Sequence, residues 1–260
     1  MSGAALGDVT AYLDSYLRIG EIPDAPNAVN GLQVENGGTV TRIVAAVDAS
    51  LATIEATGAG GGSPLLLVHH GLFWDGNVPA TGRRYRRLRA LFSGDVALYS
   101  AHIPLDVHPE VGNNVVLAER LGLVVDGWFG DYRGIALGVR GHAPAALAQR
   151  SLLLREIERA LGVEAEATHL VPGGPDHPRR IGIVTGAGGS MIAAARDAGL
   201  DTLITGEGPH HTYFDAMEWG LNVIYAGHYA TETLGVQALA SHLADRFDLP
   251  WDFHDHPTGL

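Results

Sequence analysis

The sequence predicts an α/β fold of two similar, interlinked α/β halves with mixed sheets. Three observations carry that expectation. Short apolar runs alternate with helical patterns: RIVAAV at residues 42–47 reads as a strand, Ser50 as the N-cap of a helix, and LLLV at residues 65–68 as a second strand. The alternation returns at residues 179–207, RRIGIVTGAGGSMIAAARDAGLDTLITGE, as strand, Gly-rich turn, helix and strand. Finally, ALYSAHIPLD (97–106) is echoed by VIYAGHYATE (223–232). Each has an apolar strand containing Tyr, then His, then an acid four residues on. Upstream, LLLVHH is echoed by TLITGEGPHH with an insertion, so an internal duplication is expected. The first half takes residues 1–125 and 228–260 and carries the double histidine. The second takes residues 126–227.

The remaining elements follow in order. Tyr12, Leu13, Tyr16 and Leu17 have helical spacing within residues 10–19. Residues 27–38, NAVNGLQVENGG, read as loop, short strand and turn. GAGGGSP at residues 58–64 ends the helix begun at Ser50. Residues 81–92 form an amphipathic helix with Tyr85, Leu88, Leu91 and Phe92 on one face and five arginines between Arg83 and Arg89 on the rest. Those arginines read either as a solvated face or as a patch attracting anions. Pro104 predicts a loop between His102 and Asp106. Helices are expected at residues 115–123, 149–161 and 213–219, and a long one closes the stretch 222–247. The GAGGS turn reads as a tight strand-to-helix connection, with a backbone phosphate cradle as the alternative.

Composition narrows the chemistry. The chain has no cysteine, which excludes thiolate nucleophiles, iron–sulfur clusters and Cys-ligated zinc. It has no lysine either, so Schiff-base chemistry and a lysine-bearing phosphate loop are excluded. A net charge of −12 argues against nucleic acid as a partner. No apolar run is long enough to span a membrane, and the N-terminus lacks the pattern of a secretory signal, so a cytoplasmic protein is expected.

Histidine, by contrast, occurs 13 times, and its placement is informative. His69 and His70 end an apolar strand just before Gly71, at the sheet edge where α/β proteins usually bind ligands. Adjacent strand residues point to opposite faces, so both rings reach one cavity only if the chain turns there, which Gly71 permits. Together with carboxylates and without thiolates, such imidazoles suit zinc, manganese, iron or magnesium. On a first helical turn, His228 and Glu232 would face one side.

At these residues the sequence resembles the family known as GTP cyclohydrolase I type 2, or NGG-interacting-factor-three-like. The matching blocks are NGLQVE (30–35), VHHGLFW (68–74), AHIPLDVHPEVGNN (101–114), ITGE (204–207) and AGHYATETLGV (226–236). It is most similar to the short, single-unit bacterial members. The resemblance implies a toroidal homohexamer and a centre of two divalent metal ions per chain, with ligands at His69, His70, Asp106, His228 and Glu232. His102 and Glu207 match recurrent polar positions beside that centre and are the candidate catalytic residues. Three functions follow as expectations. One is a metal-dependent hydrolase acting through a metal-bound hydroxide, with His102 shuttling protons, on a nucleotide or related phosphorylated compound drawn in by the arginines. The second is a non-enzymatic metal carrier or insertion factor, and the third a ring-shaped scaffold or regulatory protein.

Overall fold

A computed structural model describes residues 3–259. In chain order, β1 (Ala4–Ala5) leads into α1 (Leu6–Tyr16), which buries Leu6, Val9 and Leu13. β2 (Gly31–Val34), β3 (Thr39–Val40) and β4 (Arg42–Asp48) follow, then α2 (Leu51–Ala59), β5 (Pro64–His70), α3 (Gly82–Ser93) and β6 (Ala97–Ser100). Ser50 caps α2 as expected, its side chain accepting the Thr53 N–H. Next come α4 (Ile103–Asp106), α5 (Asn113–Arg120), β7 (Val124–Tyr132), β8 (Ile135–His142) and α6 (Arg150–Leu161). Gly162, left-handed at φ 70°, ends α6. The chain finishes with β9 (His169–Pro172), β10 (Arg180–Val184), α7 (Ile192–Asp197), β11 (Thr202–Thr205), α8 (Thr212–Trp219), β12 (Asn222–Tyr225), α9 (His228–Phe247) and β13 (Trp251–Phe253).

The described residues fall into two compact units. One runs to Leu105 and includes Val236–His256; the other holds Asp106–Gly235 and the residues from Pro257 on. The first has a five-stranded sheet in the order β13-β4-β5-β6-β2. Here β13, β4, β5 and β6 are parallel and β2 is antiparallel to β6. Its core gathers Val44, Ala46, Ile54, Leu66, Val68, Leu91 and Leu98.

The second unit has a six-stranded sheet in the order β7-β8-β10-β11-β12-β9. β10, β11 and β12 are parallel, while β8 and β9 run antiparallel to β10 and β12. Its core gathers Leu117, Leu153, Ile157, Ile181, Ile183, Ile204 and Ile224.

The mixed sheets share four strands of one topology, which bears out the expected duplication; they differ beyond them, where β13 is parallel to β4 and β8 antiparallel to β10. In each unit a lone strand (β2 or β9) precedes a β-α-β-α-β run, β4-α2-β5-α3-β6 or β10-α7-β11-α8-β12. In each sheet that lone strand returns antiparallel to the third parallel strand. The halves are interlinked through α9, which starts in the second unit and ends in the first.

Where the sequence predicts a loop after His102, the chain makes the single helical turn α4. Pro104 sits in its first turn, where a missing N–H removes no intrahelical bond. No described helix is long and apolar enough to cross a membrane.

Candidate metal centre

In the first unit the site grows out of β5. Leu65, Leu66, Leu67 and Val68 have no exposed surface, as expected of a central parallel strand covered on both faces. His69 and His70 follow at its C-terminal end. His69 is also fully buried, and its Nδ1 lies 2.9 Å from the Ala101 carbonyl oxygen. A carbonyl only accepts, so Nδ1 carries the hydrogen and, in the neutral ring, Nε2 holds the lone pair.

His70 repeats the arrangement with a carboxylate. Its Nδ1 lies 2.9 Å from Oδ1 of Asp48, its partner in the β4–β5 register. His102 does the same, with Nδ1 3.0 and 3.1 Å from the two Asp24 oxygens. A metal-binding histidine is commonly held in this way, by an oxygen on its other nitrogen.

The three rings converge. Centroids of His69 and His70 are 4.8 Å apart, those of His69 and His102 4.9 Å, and those of His70 and His102 5.6 Å. Each residue offers a ring nitrogen within 4.8 Å of the others'. Trp74 walls the cluster, edge-on to His102 at 4.8 Å and to His70 at 6.1 Å.

Gly71 serves close approach rather than a left-handed turn. A Cβ there would come within 2.3 Å of the Gln33 amide. Gln33 Oε1 accepts the Leu72 N–H at 2.7 Å, and its Nε2 donates to the carbonyls of Ala28 and Val29. The NGLQVE block thus braces the histidine strand. Its Asn30 accepts the His102 N–H at 2.8 Å.

Asp24 is a heavily used carboxylate. It accepts from His102, from Asn30 Nδ2 at 2.8 Å, and from the backbone N–H groups of Ala25 and Ile103. Burial alone would raise its pKa; the hydrogen bonds outweigh it and hold the carboxyl below the usual range.

In the second unit the candidates gather where β12 passes into α9. His228 opens that helix and Glu232 lies one turn on. Oε1 of Glu232 is 3.2 Å from His228 Nε2, and Oε1 of Glu207 is 2.9 Å from His228 Nδ1. Hydrogen bonding to Glu232, opposed by burial and helped by Glu207, raises the His228 pKa to about 9. The negative charge that favours a proton there favours a cation equally.

Glu232 is only 3% exposed. Gly186 makes room for it: an added Cβ would lie 2.2 Å from Glu232 Oε1, and the φ of 64° is itself a glycine conformation. The other glycines of the turn are equally filled. A Cβ on Gly188 would meet Thr205 Oγ1 at 2.6 Å, and one on Gly189 would meet the Gly208 backbone at 2.5 Å. The turn is therefore a tight connection, closed by Glu232, Thr205 and the Gly208 backbone, not an open phosphate cradle. Asp106, also buried, accepts from Asn113 Nδ2 at 2.8 Å and from Thr185 Oγ1 at 3.4 Å.

The expected echo of the double histidine takes another form. His210 and His211 lie exposed ahead of α8. Just beyond Thr205 of β11, in the place that His70 occupies beyond Val68 of β5, stands Glu207. The arginine helix divides as well. Arg84 is bound to Asp75 and to the carbonyls of Gly76 and Val78, whereas Arg83, Arg86 and Arg89 are exposed.

Within each unit the donors fit divalent cations. Three imidazoles have their other nitrogens already engaged, and a buried carboxylate is seated against a glycine that admits nothing larger. Sequence reasoning does not single out Asp24, Asp48, Asn113 or Thr185. Asp48 alone carried a signal, being the acid that ends strand β4 at the same sheet edge as His70.

The Duf34/NIF3 (NGG1p interacting factor 3) family model matches residues 4–257. A GTP cyclohydrolase 1 type 2 homolog of Deinococcus radiodurans is 46% identical, over 97% of this chain and 94% of its own. Among solved structures, protein ybgI, described as of unknown function, superposes with a TM-score of 0.89 at 36% identity, covering 99% of this chain and 100% of that one. TTHA1606 from Thermus thermophilus does so with a TM-score of 0.87 at 42% identity and the same coverage.

Proposed function

Because the chain belongs to the Duf34/NIF3 family, whose curated relatives bear the name GTP cyclohydrolase 1 type 2 homolog, we propose that it is a metal-dependent hydrolase of a nucleotide or related phosphorylated compound. Two divalent ions would be held by His69, His70, Asp106, His228 and Glu232. The observation that carries this reading is the way the ligand side chains are held. His69, His70 and His228 each have one ring nitrogen fixed by an oxygen, and Glu232 is buried against Gly186. Such preparation is costly for groups with only a structural role.

When bound, a pair of divalent ions supplies Lewis acidity and lowers the pKa of water to roughly 7, giving a nucleophile at neutral pH. The chain's own residues do the rest. Ala101, Asp48 and Glu207 hold the rings by their Nδ1 atoms, so ligand geometry is set before substrate arrives. Trp74 packs edge-on against His70 and His102 and limits how their rings can turn. Glu207, half-exposed beside His228, would take up a proton released at that histidine.

The test is metal analysis of protein purified without chelator, followed by incubation with a nucleotide panel. Close to two ions per chain and a hydrolysed product are expected. Bound, readily exchanged metal with no product from any nucleotide would instead favour a carrier. Absence of metal, with no uptake of added manganese or zinc, would refute both.

A further inference from the structure

We infer that His102 is itself a metal ligand and that Asp24 is the residue that positions it. The inference rests on the metal-binding reading above and enlarges its ligand set. Two independent observations point to it.

The first is local. His102 converges with His69 and His70, and the three offer ring nitrogens within 4.8 Å of one another. Its Nδ1 faces both oxygens of Asp24. A carboxylate only accepts, so Nδ1 carries a hydrogen and Nε2 is the coordinating atom of the neutral ring. Asp24 is in turn fixed by Asn30 and by the N–H groups of Ala25 and Ile103. A side chain held by that many donors is a rigid support. His102 is therefore presented to the cluster in one orientation, as His69 is by Ala101 and His70 by Asp48.

The second comes from the repeated sequence. In the second unit, the residue three after Tyr225 of β12, which opens α9, is His228. The residue three after Tyr99 of β6 in the first unit is His102, followed at once by α4, although strand register offsets the two histidines by one place. Both have Nδ1 on a carboxylate, Glu207 at 2.9 Å and Asp24 at 3.0 Å. In both, an acid follows four residues on, Glu232 or Asp106. A repeat that makes His228 a ligand assigns the same role to His102. The three histidines then form a nitrogen-rich set, which favours zinc, cobalt or nickel over magnesium.

Cobalt(II) is the probe, because it shifts the resonances of coordinated imidazoles. In the cobalt-loaded, full-length wild type, each coordinated ring of this kind should show one shifted, exchangeable Nδ1–H signal. Four are expected, from His69, His70, His102 and His228, whereas a set without His102 gives three. His102→Ala should lose one signal and weaken cobalt binding, and added imidazole should restore the visible cobalt spectrum. A purely structural histidine would not respond in that way.

Asp24→Asn, which keeps the shape and removes the charge, should weaken cobalt binding by about 10–100-fold. Ser50→Ala, a helix-cap change away from the site, should leave it unaltered. Three shifted signals in the wild type, with unchanged affinity in His102→Ala and Asp24→Asn, would overturn the inference. If Glu232→Gln still lost metal, the broader reading would survive that result. A wild type that takes up no cobalt would end both.

Discussion

At Gly186 a single added methyl would collide with Glu232 Oε1, in a backbone conformation that costs an L-residue roughly 1–2 kcal/mol. Gly186→Ala should therefore lower unfolding free energy by about that amount. It should also reduce metal content, because the carboxylate must move. Denaturant titration and elemental analysis read the two effects separately; a stable variant with full metal would show that Glu232 is not a ligand. Charge can be tested without changing shape. Glu232→Gln should cost at least one ion, whereas Glu218→Gln, on the exposed face of α8, should cost none. Equal occupancy in the two variants would move the site elsewhere. The candidate donors were legible in the sequence as a double histidine at a strand end and a repeated His-to-acid spacing, and the family resemblance made a ligand set of them. Their supports were not. Asp24 stands 78 positions from His102, and only the fold brings them together.

At the scale of the element, the caps and central strands behave as local chemistry dictates. Ser50→Ala removes the acceptor for the Thr53 N–H and should destabilise by about 1 kcal/mol, read by thermal melting with metal content unchanged. A loss of metal in that variant would mean that α2 helps to set the position of β5. Central strands such as β5 announce themselves as unbroken apolar runs. The edge strands β7 and β9 do not. β7 contains Asp126, Gly127, Gly130 and Asp131, and its first three residues are exposed. β9 is only four residues long and ends in Pro172. Strands paired on one side need neither alternation nor continuity, so composition hides them. Position within the element likewise decides the case of Pro104. A proline is a breaker only where its N–H is wanted, and in α4 it is not. The double histidine misleads for a related reason. Likeness of letters pairs His69 and His70 with His210 and His211, whereas strand register puts Glu207 in the corresponding place.

For the whole molecule, the proposed assembly is a closed ring of six chains. What supports it is an apolar face on α8, where Tyr213, Phe214 and Met217 are each 41–50% exposed. Side chains of that size in one exposed cluster usually mark an interface. Light scattering should give a mass six times that of one chain, and Phe214→Glu with Met217→Glu should reduce it. A wild-type monomer at micromolar concentration would exclude the ring. The path of α9 and β13 has a consequence for the growing chain. Synthesis runs from the N-terminus, so residues 106–235 leave the ribosome before Trp251–Phe253 exist to pair with β4. The part of the protein made first is thus the last to be completed. Until then β4 waits with one bare edge, the kind of edge that recruits stray strands.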